Sequence, residues 1–241
     1  MADSRGCDEN PAWEGAASSP PPGRPLRPGV LFDLDGTLVD TNYLHTVAWS
    51  RALHDAGEWA PMNAIHRLVG MGGDQLVPEL LGHGCDAARE RRAARYREIM
   101  DEARVFPGAA ELLRTCHRGG LRVVLASSSP ADELEPLCRL IGAGEAIDAR
   151  TTADDVEASK PRPDVFLAAM RAGGVDPARA LAVGDSVWDI RAAREAGIGC
   201  VAVETGGFSQ HELSEAGARH VYRSVNELLQ QFYTSPLASL L

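Results

Sequence analysis

The chain has 241 residues, 44% of them hydrophobic and 24% charged, with a formal net charge of −10. This composition is ordinary for a globular protein and offers no electrostatic reason to bind nucleic acid or an anionic membrane. With that net charge an anionic ligand would have to be met by a local positive centre, a metal, a lysine or backbone N–H groups; no apolar run approaches the roughly 20 residues that span a bilayer.

Residues 1–27 are rich in Pro, Gly, Ser and Ala and lack the basic start and apolar middle of a signal peptide. They read as a disordered tail. The first core signal is Val30-Leu31-Phe32, which stops at Asp33. Residues 41–104 then read as helical: 47–53, a loop through Pro61, 64–68, a glycine-rich turn, and a charged segment over 87–104. That stretch is too long for one crossover, and it is expected to form a helical cap inserted between the core segments 28–40 and 105–233.

Apolar runs return at Val123-Val124-Leu125-Ala126, which ends at Ser127, and at Ala180-Leu181-Ala182-Val183, which ends at Gly184-Asp185. Two more follow, Cys200-Val201-Ala202-Val203 and His220-Val221-Tyr222. They are continuous rather than alternating, as in strands buried on both faces of a parallel sheet. Helices expected over 109–118, 163–172, 189–196 and 225–232 separate them. The alternation predicts a doubly wound, Rossmann-like α/β core with right-handed crossovers. The five cysteines, Cys7, Cys85, Cys116, Cys138 and Cys200, show no CxxC spacing. Neither a disulfide framework nor a zinc site is expected; the reading is a cytoplasmic monomer or weak homodimer.

Ligands of such a sheet bind at the carboxyl ends of its strands, where four polar segments fall. In Asp33-Leu34-Asp35-Gly36-Thr37, carboxylates at i and i+2 share one side and the glycine permits a tight turn. A carboxylate can attack a phosphoryl group, and a second can handle protons; the same letters also suit a simple turn. Ser127 and Ser128 can hold phosphate oxygens at a strand-to-helix turn, or merely start a helix before Pro130. Lys160 is followed by two stiffening prolines in Ser159-Lys160-Pro161-Arg162-Pro163-Asp164. Among 24 basic residues it is the one lysine. A compact ammonium differs most from a guanidinium in a tight anion site, which favours a phosphate contact over a surface cation. Asp185 and Asp189 lie one helical turn apart and suit Mg²⁺, which takes oxygen ligands, although Asp185 or Ser186 would equally serve as an N-cap.

These four segments, in this order, resemble the haloacid dehalogenase-like phosphohydrolases over roughly residues 28–232. The resemblance implies Asp33 as nucleophile and Mg²⁺ ligand, and Asp35 as general acid/base with its backbone carbonyl on the metal. It implies Ser127 and Lys160 as phosphate ligands, Asp185 as a metal ligand, and Asp189 as a ligand or a supporting carboxylate. The substrate implied is a small phosphorylated metabolite. Dehalogenases lack the second Asp, and phosphonate-cleaving relatives need a cap lysine that is missing here. A β-phosphoglucomutase-like phosphosugar mutase is the nearer alternative, since Asp40-Thr41 with His45 and Ala48-Trp49 resembles its hinge. Its cap lysine is missing, however, glycine stands where its cap arginine is expected, and Thr37 suits a phosphatase. A non-catalytic phospholigand-binding protein is a second alternative. In the cap, His45 is a hinge or substrate contact or an ordinary helix histidine. Gly72, within Gly70-Met71-Gly72-Gly73, belongs to a substrate loop or a flexible turn. Arg67 meets an anionic leaving group or is solvated, and Arg89–Arg97 reads as a solvated helix face.

Overall fold

A computed structural model of the chain describes residues 25–127 and 129–241. Most of the expected tail, Cys7 and Ser128 lie outside the described residues.

Among the described residues eight strands and ten helices follow in the order β1 (Arg27–Phe32), β2 (Val39–Asp40), α1 (Asn42–Asp55), α2 (Met62–Leu68), α3 (Gly73–Leu81), α4 (Asp86–Arg97), β3 (Arg104–Val105), α5 (Ala109–Arg118), β4 (Arg122–Ala126), α6 (Ala131–Ile141), β5 (Ala149–Thr151), α7 (Asp164–Gly173), β6 (Val175–Gly184), α8 (Val187–Glu195), β7 (Gly199–Val203), α9 (Gln210–Ala216), β8 (His220–Tyr222) and α10 (Val225–Gln230). Six strands form one parallel sheet in the order β5-β4-β1-β6-β7-β8. The fold is a Rossmann-like parallel sheet with an inserted helical cap.

The two-residue period of a strand sends alternate side chains to opposite faces. Accordingly Val30 and Phe32 enter a core with Leu112, Leu113, Leu134, Leu137 and Leu228, whereas Leu31 packs on the other face with Val165, Phe166, Ile190 and Leu213. Both faces are covered, which is why the strand text is continuously apolar. Phe32 pairs with Leu125 on one side and Val183 on the other. That register brings Asp33, Ser127 and Asp185, the residues just beyond β1, β4 and β6, to one edge of the sheet.

β2 and β3 pair antiparallel, Val39 with Val105 and Asp40 with Arg104. The chain leaves the core and returns through this two-stranded ribbon. Between its strands, α1–α4 carry their own buried cluster of Trp49, Leu53, Ala60, Ile65, Leu76, Val77 and Ala88. Three helices exceed the sequence reading. α3 contains Pro78 and α6 contains Pro136, so both lose the pattern of an uninterrupted helix, and α9 is only seven residues long. β5 is three residues, Ala-Arg-Thr, with no apolar run to betray it. Beyond residue 233, Leu237 and Leu240 remain buried in the sheet core, so the core packing extends past the expected end. Cys85, Cys116, Cys138 and Cys200 are free thiols. Among the described residues no helix is long and apolar enough to cross a membrane.

Candidate active site

Asp33 is fixed by the strand it follows: its backbone N–H donates to Val183 O at 2.9 Å, extending the β1–β6 ladder by one bond. Its carboxylate is gripped at both oxygens. Lys160 Nζ donates to Oδ1 at 2.5 Å, and Thr37 Oγ1 lies 3.0 Å from Oδ2. Lys160 also donates to Asp189 Oδ1 at 2.7 Å, and the ammonium is only 3% exposed. Asp189 in turn forms a capping box with Ser186 at the start of α8: Oδ2 accepts from Ser186 N at 3.1 Å and Oγ at 2.5 Å. Both oxygens of Asp189 are therefore engaged, one of them holding Lys160 against Asp33.

Asp185 lies on the other side of Thr37. Its Oδ1 is 2.9 Å from Thr37 Oγ1, and its Oδ2 accepts from Asn42 Nδ2 at 2.8 Å. Thr37 has one hydroxyl proton for two carboxylates, so at any instant one of the two lacks that donor. Two glycines make room here. Gly36 has φ +81°, and a Cβ on it would stand 2.5 Å from Asp185 Oδ2; a Cβ on Gly206 would run into the same oxygen.

Burial dominates the electrostatics. It raises the Asp33 carboxyl to about 7; the charges of Asp189 and Asp35 add to it, and Lys160 opposes. Burial, then Asp189 and Asp33, push Asp185 well above the ordinary range. Burial disfavours the Lys160 ammonium, but Asp189 and Asp33 outweigh it and hold it above its usual value. Oxygens of Asp33, Asp185 and Asp189 all lie within 4.8 Å of one another, and all three residues are buried. This donor set fits Mg²⁺: the ligands are hard oxygens, one lysine offsets three carboxylates, a hydroxyl proton is one too few, and buried Asn42 Oδ1 has no partner. Asp33 and Asp185, which share the single Thr37 proton, could hold such an ion, while Asp189 is tied to Lys160 through one oxygen and to Ser186 through the other.

Asp35 faces away from that cluster. Thr41 Oγ1 donates to its Oδ1 at 2.7 Å, His45 Nε2 stands 3.0 Å from the same oxygen, and Ser129 Oγ donates to Oδ2 at 3.2 Å. Burial alone would raise the Asp35 carboxyl, yet His45, Thr41 and Arg92 outweigh it and hold it below the usual carboxylate range. Its carboxylate opens into a cavity of about 60 Å³ lined by Asp33, His45, Trp49, Met71, Arg92, Ser127, Ser129 and Lys160. Ser127 Oγ accepts from Ser129 N at 3.0 Å and keeps its proton for whatever fills the cavity. A cleft of about 450 Å³ adjoins it, sharing Trp49, Met71, Arg92 and Ser129.

The structure thus gathers Asp33, Asp35, Thr37, Ser127, Lys160, Asp185 and Asp189 at one sheet edge, with His45 reaching in from α1. Thr37, read as a substrate contact, is a fully buried core residue between two carboxylates. Two cap residues go elsewhere. Arg67 pairs with Glu212 on α9 and lies 4.0 Å over the Phe208 ring, while its carbonyl accepts from Trp188 Nε1; it locks α2 to the core and does not line the cavity. Gly72 packs against Ser159 in the adjoining cleft. Arg92 departs from its solvated reading: it is 16% exposed and bridges to Glu133, itself 1% exposed, on α6. Asn42, Arg92 and Ser129 were not singled out by sequence. For Asn42 a signal existed, because Asn42, His45 and Thr46 place polar side chains on one buried face of α1 at i, i+3 and i+4.

Comparison with known proteins agrees with this geometry. The model of the haloacid dehalogenase-like hydrolases matches residues 28–197. The chain belongs to this hydrolase family. A phosphoglycolate phosphatase from Pseudomonas putida is 32% identical over 188 residues, 73% of this chain and 69% of that protein. The structure of a hydrolase from Pseudomonas syringae superposes with a TM-score of 0.81 at 33% identity, covering 86% of this chain and 99% of that one. CbbY from Rhodobacter sphaeroides, solved with xylulose-1,5-bisphosphate, gives a TM-score of 0.69 at 30% identity over 84% of this chain and 96% of its own. The Asp33–Asp35, Ser127 and Asp185–Asp189 segments follow β1, β4 and β6, and Lys160 joins them from the loop before α7.

Proposed function

We propose that this hydrolase is a Mg²⁺-dependent phosphatase of small phosphorylated metabolites, acting in the cytoplasm through a phosphoryl group carried on Asp33. One observation carries the reading: the Asp33 carboxylate is clamped by Lys160 and Thr37 at the floor of a cavity whose wall is the Asp35 carboxylate. Asp33 and Asp185 would hold Mg²⁺, which when bound would supply charge neutralisation for the phosphoryl oxygens.

Asp33 attacks phosphorus, the bond to the leaving alcohol breaks, and Asp35 gives that alcohol its proton. Asp35 then takes a proton from water as it attacks the acyl phosphate, which releases phosphate and restores Asp33. Lys160, held by Asp189, neutralises both the nucleophile and the phosphate, and Ser127 donates to a phosphoryl oxygen. Without substrate, Asp35 is held in its ionised form, ready as a base; a phosphate dianion beside it favours the proton it needs as an acid. Substrate would reach the cavity through the adjoining cleft, which shares Trp49, Met71, Arg92 and Ser129 with it, and a cap held down over the bound substrate would exclude bulk water.

Phosphate release from p-nitrophenyl phosphate and from a panel of sugar phosphates and phosphoglycolate, with Mg²⁺ and with EDTA, tests the reading. Stoichiometric inorganic phosphate is expected. An isomerised sugar phosphate would point to a mutase, and no turnover on the panel would point to a binding protein.

A further inference from the structure

His45 stands between Asp35 and the cap, and its ring is held on three sides. Arg92 Nη2 lies 2.6 Å from His45 Nδ1. A guanidinium only donates, so Nδ1 must be the bare, accepting nitrogen and the ring proton must sit on Nε2, which faces Asp35 Oδ1 at 3.0 Å. The other tautomer would set two donors against each other at 2.6 Å and turn a lone pair toward a carboxylate. Tyr96, one turn beyond Arg92 on the same face of α4, stacks on the imidazole with centroids 4.2 Å apart and planes 18° apart. Glu133 on α6 receives Arg92 Nη1 on both oxygens, at 2.6 and 2.7 Å. Because Glu133 is buried, the guanidinium cannot swing off without leaving an unpaired carboxylate inside the protein.

We infer that Arg92, steadied by Glu133 and helped by Tyr96, is a positioning residue for Asp35: it fixes the ring orientation and tautomer of His45, and hence which oxygen of Asp35 is left to serve the substrate. Asp35 Oδ1 takes both Thr41 and His45, whereas Oδ2 accepts one longer bond, from Ser129 Oγ at 3.2 Å, so Oδ2 is the atom that exchanges the proton. Arg92 comes from the cap while Glu133 and Asp35 belong to the core, so the arrangement exists only with α4 docked. Proton transfer is thereby tied to closure. The inference rests on the reading of Asp35 as acid and base.

The test compares kcat/KM, which covers the steps up to departure of the alcohol, for a sugar phosphate and for p-nitrophenyl phosphate. The sugar alcohol needs a proton to leave; p-nitrophenolate does not. Arg92→Met combined with Glu133→Gln, which avoids stranding a buried charge, is expected to lose roughly 10- to 100-fold on the sugar phosphate and little on p-nitrophenyl phosphate. Arg92→Lys, which keeps a donor for Nδ1, is expected to recover much of the loss. Arg91→Met, whose guanidinium bonds among the described residues to Ala87 O of its own helix, is expected to match wild type. Nitrogen-15 spectra of the metal-free wild-type protein are expected to show the His45 proton on Nε2. A proton on Nδ1, or equal losses on both substrates without lysine rescue, would overturn the inference. Asp35→Asn, assayed alongside, separates the two claims. If it shows no leaving-group dependence, the acid/base reading fails; if it shows the dependence and the Arg92 variants do not, only the role of Arg92 fails.

Discussion

Replacing Lys160 by Met should destabilise the metal-free protein in a way that depends on pH. Lys160 is the single ammonium among the three buried carboxylates of Asp33, Asp185 and Asp189, whose oxygens lie within 4.8 Å of one another. Removing one partner of a buried ion pair costs about 3–5 kcal/mol, because the other charge stays buried and uncompensated. For a chain of this size that is roughly 6–20 °C in Tm at about 2–4 °C per kcal/mol. The sign follows from Asp33, whose carboxyl is already raised from 3.8 to about 7. The folded state binds that proton more tightly than the unfolded chain, so this group favours folding at low pH and loses that contribution as pH climbs from about 4 through 7. Lys160 lowers the Asp33 value, so its loss raises that value further, and the damage is greatest where Asp33 must ionise. Thermal melts in EDTA should show the larger drop at pH 8 and a much smaller one at pH 5. Equal drops at the two pH values would refute the assignment of these charges, as would a variant more stable than wild type at pH 8.

Three more outcomes follow. Mg²⁺ should raise Tm more at pH 8 than at pH 5.5, since protons on Asp33 and Asp185 compete with the ion; a larger shift at the lower pH would contradict the proposed ligands. Asp185→Asn should abolish Mg²⁺-dependent turnover yet stabilise the metal-free fold at pH 8, because it removes a repelled carboxylate and its amide can donate to the unpartnered Asn42 Oδ1 after that side chain flips; a lower Tm in EDTA would count against it. Arg67→Ala should leave product inhibition by inorganic phosphate unchanged and alter stability by no more than about 1 kcal/mol, because the Arg67–Glu212 pair is partly exposed and remote from the cavity; weaker phosphate inhibition would return Arg67 to the substrate site.

Much of the site was legible because its residues follow apolar runs directly. Asp33, Ser127 and Asp185 each stand just beyond a strand, and parallel register converts that one-dimensional placement into a shared edge. Lys160 was conspicuous as the one lysine in an arginine-rich chain. The part that was not legible depends on approaches between segments far apart in sequence. Arg92 looks solvated among its neighbours on α4, and only the docking of that helix reveals Glu133, 41 residues away, and His45, 47 residues away. Arg67 illustrates the reverse case: its charge suited a leaving group, but Phe208 and Glu212, supplied by the core, claim it. Short or proline-bearing elements such as β5 and α6 escaped for a simpler reason, since three residues or an interrupted period carry too little pattern.

The central claim is that Asp33 itself carries the phosphoryl group. Acid-quenched enzyme from a Mg²⁺ reaction with p-nitrophenyl phosphate, digested and analysed by mass spectrometry, tests it most directly. Asp35→Asn, which slows attack by water, should increase the trapped fraction. Phosphate is expected on the peptide containing Asp33, and none on Asp33→Asn, which should also be inactive while retaining its fold. Turnover that persists in Asp33→Asn, or phosphate found on another residue, would contradict the account.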